Sequence, residues 1–138
     1  MIQCFHNMKD KIILINPHEL IAHERVSLLH AAAIFFEMLV LRQFRKPIIV
    51  DSKTKTILDG HHRCYVANRL GLKKVPCYLV DYIEDGSIQV YTRRPEIFIN
   101  KKEVVNMALS PKVFPEKTTR HEYQIPEFQP LMIRELWQ

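Results

Sequence analysis

The chain has 138 residues, 47% of them hydrophobic and 25% charged, with a formal net charge of +5. That is ordinary for a soluble globular protein, long enough for one domain with a buried core and too short for two. Three glycines do not make a glycine-rich phosphate loop, and Cys4, Cys64 and Cys77, odd in number and without CxxC spacing, argue against a disulfide scaffold or zinc ribbon.

The opening MIQCFHNMKDK lacks the basic-then-apolar layout of a signal peptide. Residues 11–15, KIILI, read as a short buried strand that ends at Asn16-Pro17, because proline restricts the residue before it. From about Glu24 to Arg42 the pattern is helical and apolar on nearly every side, so this helix is expected to be deeply buried or covered by a second subunit. Its most apolar run, residues 26–41, holds His30 and Glu37 and falls short of the roughly 20 residues a membrane span needs. The expectation is a cytoplasmic protein with no membrane partner, and a homodimer through residues 26–41.

Residues 47–51 (PIIVD) and 56–58 (TIL) read as strands joined by the polar turn SKTK. Residues 61–70 form a helix ended by Gly71, and 74–82 form a strand whose Pro76 suggests an end or edge position. EDG at 84–86 marks a turn, so 87–92 is expected to complete a hairpin with that strand. Residues 101–109 read as a short amphipathic helix. After Pro111 the periodicity is lost, and 111–138 is expected to wrap the domain as a loop-rich tail with a helical turn at LMIREL. Cys64 and Cys77 lie in apolar segments and read as small core residues. Strands alternating with helices give an α/β (α+β) fold, a mixed β-sheet flanked by helices, as one domain over 1–138.

The charge is uneven. Residues 42–74 hold nine lysines and arginines against Asp51 and Asp59. Such a block suits an anionic partner, a phosphorylated small molecule or nucleic acid, but a solvated basic face has the same composition.

Three segments could carry chemistry. In TILDGHHRC a strand runs through Asp59-Gly60 into a helix, whose N-terminal N–H groups attract anions. Gly60 lets the backbone approach a phosphate, His61, His62 and Arg63 add donors, and Asp59 could hold Mg²⁺ or cap the helix. In PHELIAHERV, His18 and His23 are five apart, whereas a zinc-protease helix needs four, which excludes that site. Glu19 there is either a general base or a carboxylate placed by the helix dipole, and position alone favours the second. In FPEKTTRHEY, Lys117, Thr118, Thr119, Arg120 and His121 combine hydroxyls with cations, as a clamp for phosphate or carboxylate does.

The segment PIIVDSKTKTILDGHHRCYVANRLGLKKVPCYLVDY resembles the core of the ParB/sulfiredoxin superfamily, through Gly60, Arg63, Ala67, Leu70-Gly71 and Val75-Pro76. His61 stands where sulfiredoxins place their nucleophilic cysteine. Partition-type ParB proteins carry Gly-Glu-Arg-Arg and a helix-turn-helix domain. Asp59-Gly60-His61-His62-Arg63, with the upstream Pro-His-Glu and downstream Lys-Thr-Thr-Arg-His, most resembles free-serine kinases of archaea and some bacteria. That resemblance implies phosphoryl transfer from ADP or ATP, with Mg²⁺, to L-serine. Glu19 would be the base, and Asp59, Gly60, His61, His62 and Arg63 would surround the phosphates and metal, with Asp59 and His62 in the catalytic set. Lys117, Thr118, Thr119, Arg120 and His121 would complete the phosphate and substrate site. The alternatives are a ParB-like nucleotide- or DNA-binding regulator and a nucleotide binder without catalysis.

Overall fold

The structure, a computed structural model, describes residues 12–138. The expectations for Lys11 and Cys4 lie outside the described residues. Strand β1 (Ile12–Ile15) leads through a 3₁₀ turn (Pro17–Glu19) to helix α1 (Leu28–Leu41). Then come β2 (Gln43–Phe44), β3 (Ile48–Asp51), β4 (Ile57–Asp59), α2 (His61–Arg69) and β5 (Val75–Val80). The remainder holds β6 (Gln89–Thr92), α3 (Lys101–Ala108), β7 (Thr119–Glu122), β8 (Leu131–Met132) and α4 (Ile133–Leu136).

The main sheet has the order β1-β5-β3-β4, with β5 parallel to β3 and the other pairs antiparallel, so the expected mixed α/β architecture is what forms. All four residues of β3 are buried, because this strand is covered on both faces. Ile48, Val50, Val75 and Cys77 pack on one face against Ala31 and Met38 of α1, Cys64 and Ala67 of α2, and Ile133 and Leu136 of α4. Ile49, Tyr78 and Val80 pack on the other against Tyr82, Ile88 and Val104 of α3. Each fully buried aliphatic side chain contributes about 1.5–3 kcal/mol by leaving water. Cys64 and Cys77 are free thiols in the first of these layers, and burial pushes them up to about 11 and about 12.

Several expectations are corrected. β1 is an edge strand, leaving Ile13 and Leu14 exposed rather than buried. Of the two positions Pro76 suggested, it takes the end and not the edge: it is the second residue of β5, which has neighbours on both sides, and the parallel ladder with β3 starts only at Cys77, one residue past the missing N–H. Residues 87–92 do not pair with β5. β6 pairs instead with β7, so three of the five residues of the Lys-Thr-Thr-Arg-His segment are strand rather than loop. The tail is likewise more ordered than its prolines suggest. β8 pairs with β2, α4 forms at the expected turn, and Leu136 O accepts the N–H groups of Lys73 and Lys74.

The helix expected from Glu24 begins only at Leu28, capped by the Ser27 side chain, which accepts from His30 N. The seven residues before it form a largely extended run with a bend at His23, because their backbone is engaged elsewhere. Ile21 N–H donates to Lys55 O, Ile21 O accepts from Ile57, Arg25 N–H donates to Phe114 O, and His23 O accepts from Phe114. Nor is α1 deeply buried: only Ala31 and Met38 are, while Leu29, Phe36 and Val40 are mostly exposed. Among the described residues, no helix is long and apolar enough to cross a membrane.

Candidate functional site

Hairpin β3–β4 delivers Asp59 to the start of α2, and Gly60 makes the turn. Gly60 has φ +106°, a conformation that side chains rarely adopt, and an added Cβ would stand 2.9 Å from Arg63 Nη2 and 3.2 Å from Ile48. Gly60, not Asp59, is the helix cap, and no side chain closes the helix N-terminus. Asp59 Oδ2 instead accepts a hydrogen bond from the Tyr123 hydroxyl. Burial and the Asp59 carboxylate push the Tyr123 phenol upward, keeping it a donor.

Around this turn lies a cleft of about 390 Å³. It brings together Asp59, Gly60, His61, His62 and Arg63 from one segment with Lys117, Thr119, Arg120 and His121 from the other. Two expected residues are not part of its lining. Thr118 is fully buried behind it, its hydroxyl donating to Pro115 O at 2.6 Å. Glu19 is exposed on the 3₁₀ turn, which is shaped by Pro17 and by Asn16 Oδ1 accepting from His18 N; the turn is tied to α2 where Cys64 Sγ meets Pro17 O. Glu24, His30 and Arg93 line the cleft without having been singled out in the sequence for it. Glu24 arrives there because the segment before α1 is extended rather than helical.

The two histidines of the turn hold that segment. His61 Nε2 accepts the N–H of His23 at 3.2 Å, and His62 Nε2 accepts that of Ser27 at 2.9 Å. An acceptor nitrogen carries no proton, so both rings are neutral in this arrangement and can donate only from Nδ1. The expected pair of phosphate donors is therefore at best half available. Burial lowers both, His61 far below its usual range; for His62 the His30 ring, stacked 4.1 Å away, adds to the effect. His23 and His121 are lowered to about 4 and about 3, first by burial. His121 Nε2 hydrogen-bonds the fully buried Tyr82 hydroxyl at 2.8 Å. Three neutral imidazoles, those of His61, His62 and His121, thus line a cleft whose charge comes from Arg63, Arg93, Lys117 and Arg120 against Glu24 and Asp59.

Arg63 Nη2 donates to Pro47 O at 2.9 Å, which fixes the guanidinium at the base of β3. Its Nε is buried without a hydrogen-bond partner among the described residues. An unpaired buried donor on a cation is costly, and an incoming oxyanion would satisfy it. Arg120 lies over the Tyr91 ring and pairs with Glu122 at 2.6 Å. The rest of the basic block is dispersed: Arg45 pairs with Glu37, Lys53 with Asp81, and Arg69 covers Tyr65. Among the described residues, no group of three or more His, Cys, Asp or Glu is arranged to hold a metal ion.

No protein-family model matches the sequence. A ParB-like protein from Sulfolobus acidocaldarius is 41% identical over 68 residues, 49% of this chain and 34% of that protein. An ATP-dependent L-serine kinase from Desulfurococcus mucosus is 28% identical over 100 residues, 70% of this chain and 39% of that protein. The chain thus spans between a third and two fifths of the curated relatives it matches. Among solved structures, a free serine kinase in complex with AMP superposes with a TM-score of 0.81 at 16% identity, covering 91% of this chain and 93% of that one. A variant of that kinase is solved with ADP. The chain is related to a ParB-like protein and an L-serine kinase, and it has the fold of the free serine kinases.

Proposed function

We propose that the protein is a phosphotransferase that binds ADP or ATP in this cleft and passes a phosphoryl group to the hydroxyl of free L-serine, giving O-phospho-L-serine. The observation that carries the reading is the meeting of the Asp59–Arg63 turn and the Lys117–His121 segment on one cleft with an unpaired Arg63 Nε. Phosphoryl transfer asks mainly for positioning and charge neutralisation, and four cations, a glycine turn and a helix N-terminus that no side chain caps supply both.

In this reading the phosphates lie over Gly60 and Arg63, with Lys117 and Arg120 on the far wall. Mg²⁺ bound with the nucleotide would neutralise phosphate oxygens; Asp59 is the carboxylate to hold it, and one carboxylate plus phosphates suits that ion. Glu19 receives the serine hydroxyl proton, which requires the exposed 3₁₀ turn to close on the cleft when substrate is bound. Exposed Leu29, Phe36 and Val40 of α1 make an apolar face larger than scattered surface residues need, and a second copy of the chain covers it.

Purified protein incubated with Mg²⁺, L-serine and either nucleotide is expected to give the phosphorus-31 signal of phosphoserine, lost in Glu19→Gln. No signal with either nucleotide rejects the assignment. Salt-sensitive binding to duplex DNA in its place would favour a ParB-like regulator.

A further inference from the structure

One anion-receiving group bordering the cleft is already filled by the chain itself. Lys117 has φ +56°, in the left-handed region, and the two N–H groups that follow converge on one point. Glu24 Oε1 sits there, accepting from Thr118 N at 3.1 Å, Thr119 N at 2.8 Å and Thr119 Oγ1 at 2.9 Å. Successive N–H groups after a left-handed residue form a concavity that binds anions. The Thr119 hydroxyl is itself oriented: its proton goes to the carboxylate, so the oxygen accepts from His23 Nε2–H at 3.0 Å. His23 is fully buried and held neutral, so in this arrangement its single proton is on Nε2.

We infer that Glu24 is an internal counter-ligand: its carboxylate occupies the Lys117–Thr119 oxyanion site, and an oxyanion of the bound ligand takes its place. Rather than being a cation-lined clamp standing open, the segment is a receptor with a tethered competitor. The backbone holding Glu24 is rigid, through Arg25 N–H to Phe114 O and His23 N–H to His61, so only its side chain has to move. Lys117, Arg93 and Arg120 border the same cleft and draw the incoming anion. Displacement leaves Glu24 as a free carboxylate on the cleft wall, which sets a threshold that weakly charged ligands do not cross. The inference rests on the proposed anion-binding role of the cleft. It assigns Glu24 to affinity, not to proton transfer.

Glu24→Gln separates these roles, because the amide oxygen accepts the same three donors while the competing charge is removed. Calorimetric titration with inorganic pyrophosphate is expected to show binding about tenfold tighter in Glu24→Gln than in the unaltered protein. In amide NMR spectra the Thr118 and Thr119 signals should move on titration in both proteins. The same titration with L-serine, without nucleotide, tells whether a carboxylate or a phosphoryl oxygen is the better competitor. Equal or weaker pyrophosphate affinity in Glu24→Gln, or unmoved Thr118 and Thr119 signals, overturns the inference. So does a Glu24→Gln protein that loses turnover at unchanged affinity, which would make Glu24 the base. Equal affinities with phosphoserine still formed reject only this inference. Tighter pyrophosphate binding without phosphoserine rejects only the kinase assignment.

Discussion

His61 Nε2 accepts the backbone N–H of His23, 38 residues earlier in the chain, and this bond joins the two halves of the site. Through it the turn after β4 holds the extended segment 21–27, and that segment carries Glu24 to Thr118 and Thr119. The histidine pair that suggests phosphate donors thus acts first as a pair of acceptors that build the cleft.

Stability should therefore be acid-sensitive. His23 and His61 are neutral in the fold, with His23 titrating at about 4, but in the unfolded chain they take up protons below about 6.5. The unfolded state binds more protons between those values, so stability is complete above about pH 6.5 and lost as pH falls toward 4. The slope is up to about 1.4 kcal/mol per pH unit for each histidine. Thermal midpoints at pH 7.5, 6 and 5 should be flat at first and then fall steeply. A midpoint unchanged down to pH 5 would show that the imidazoles are not held neutral.

Gly60→Ala should weaken both fold and site. The backbone penalty is about 1–2 kcal/mol, and the new Cβ meets Arg63 Nη2 at 2.9 Å. Denaturant unfolding should show that loss together with ADP affinity lowered about tenfold, since Arg63 must shift. Gly86→Ala, where nothing lies within 4 Å of the added carbon, is the control and should stay within about 0.5 kcal/mol.

Tyr123→Phe removes a hydroxyl that hydrogen-bonds Asp59 and orients it. The expected cost is about 1 kcal/mol of stability. If Asp59 holds the nucleotide's magnesium, the variant needs more Mg²⁺ for half-maximal phosphoserine formation while the KM for serine changes little. An unchanged magnesium requirement would confine Tyr123 to packing.

Leu29→Glu combined with Phe36→Glu places charge on the exposed face of α1. Both positions are open in the chain, so folding should be retained. Sedimentation should give a monomer where the unaltered protein gives a dimer. Equal masses for the two proteins would reject self-association through this helix.

Much of the main sheet is legible because its signals are local. Apolar runs bounded by Pro47, Asp59 and Gly71 give β3, β4 and α2 nearly to the residue. The start of α1 is not legible, because a helical pattern from Glu24 says nothing about Lys55, His61, His62 or Phe114 competing for the N–H groups of residues 21–27. The pairing of β6 with β7 is equally hidden. Residues 87–92 alternate well enough for a hairpin, but their partner is a segment rich in charge and hydroxyls, with no strand pattern of its own.

By itself the sequence determined the chemical inventory of the site. The glycine turn, the Asp-Gly-His-His-Arg run and the Lys-Thr-Thr-Arg-His run are contiguous, and residue type alone marks them for anions. Only the tertiary structure decided which side chains share the cleft and in what state. It buried His61, half-buried His62 and spent their lone pairs on backbone N–H groups, and it left Glu19 exposed on its turn. It also put Glu24 into the anion-receiving loop. Those outcomes depend on competition among hydrogen-bond partners far apart in the chain, which local pattern does not encode.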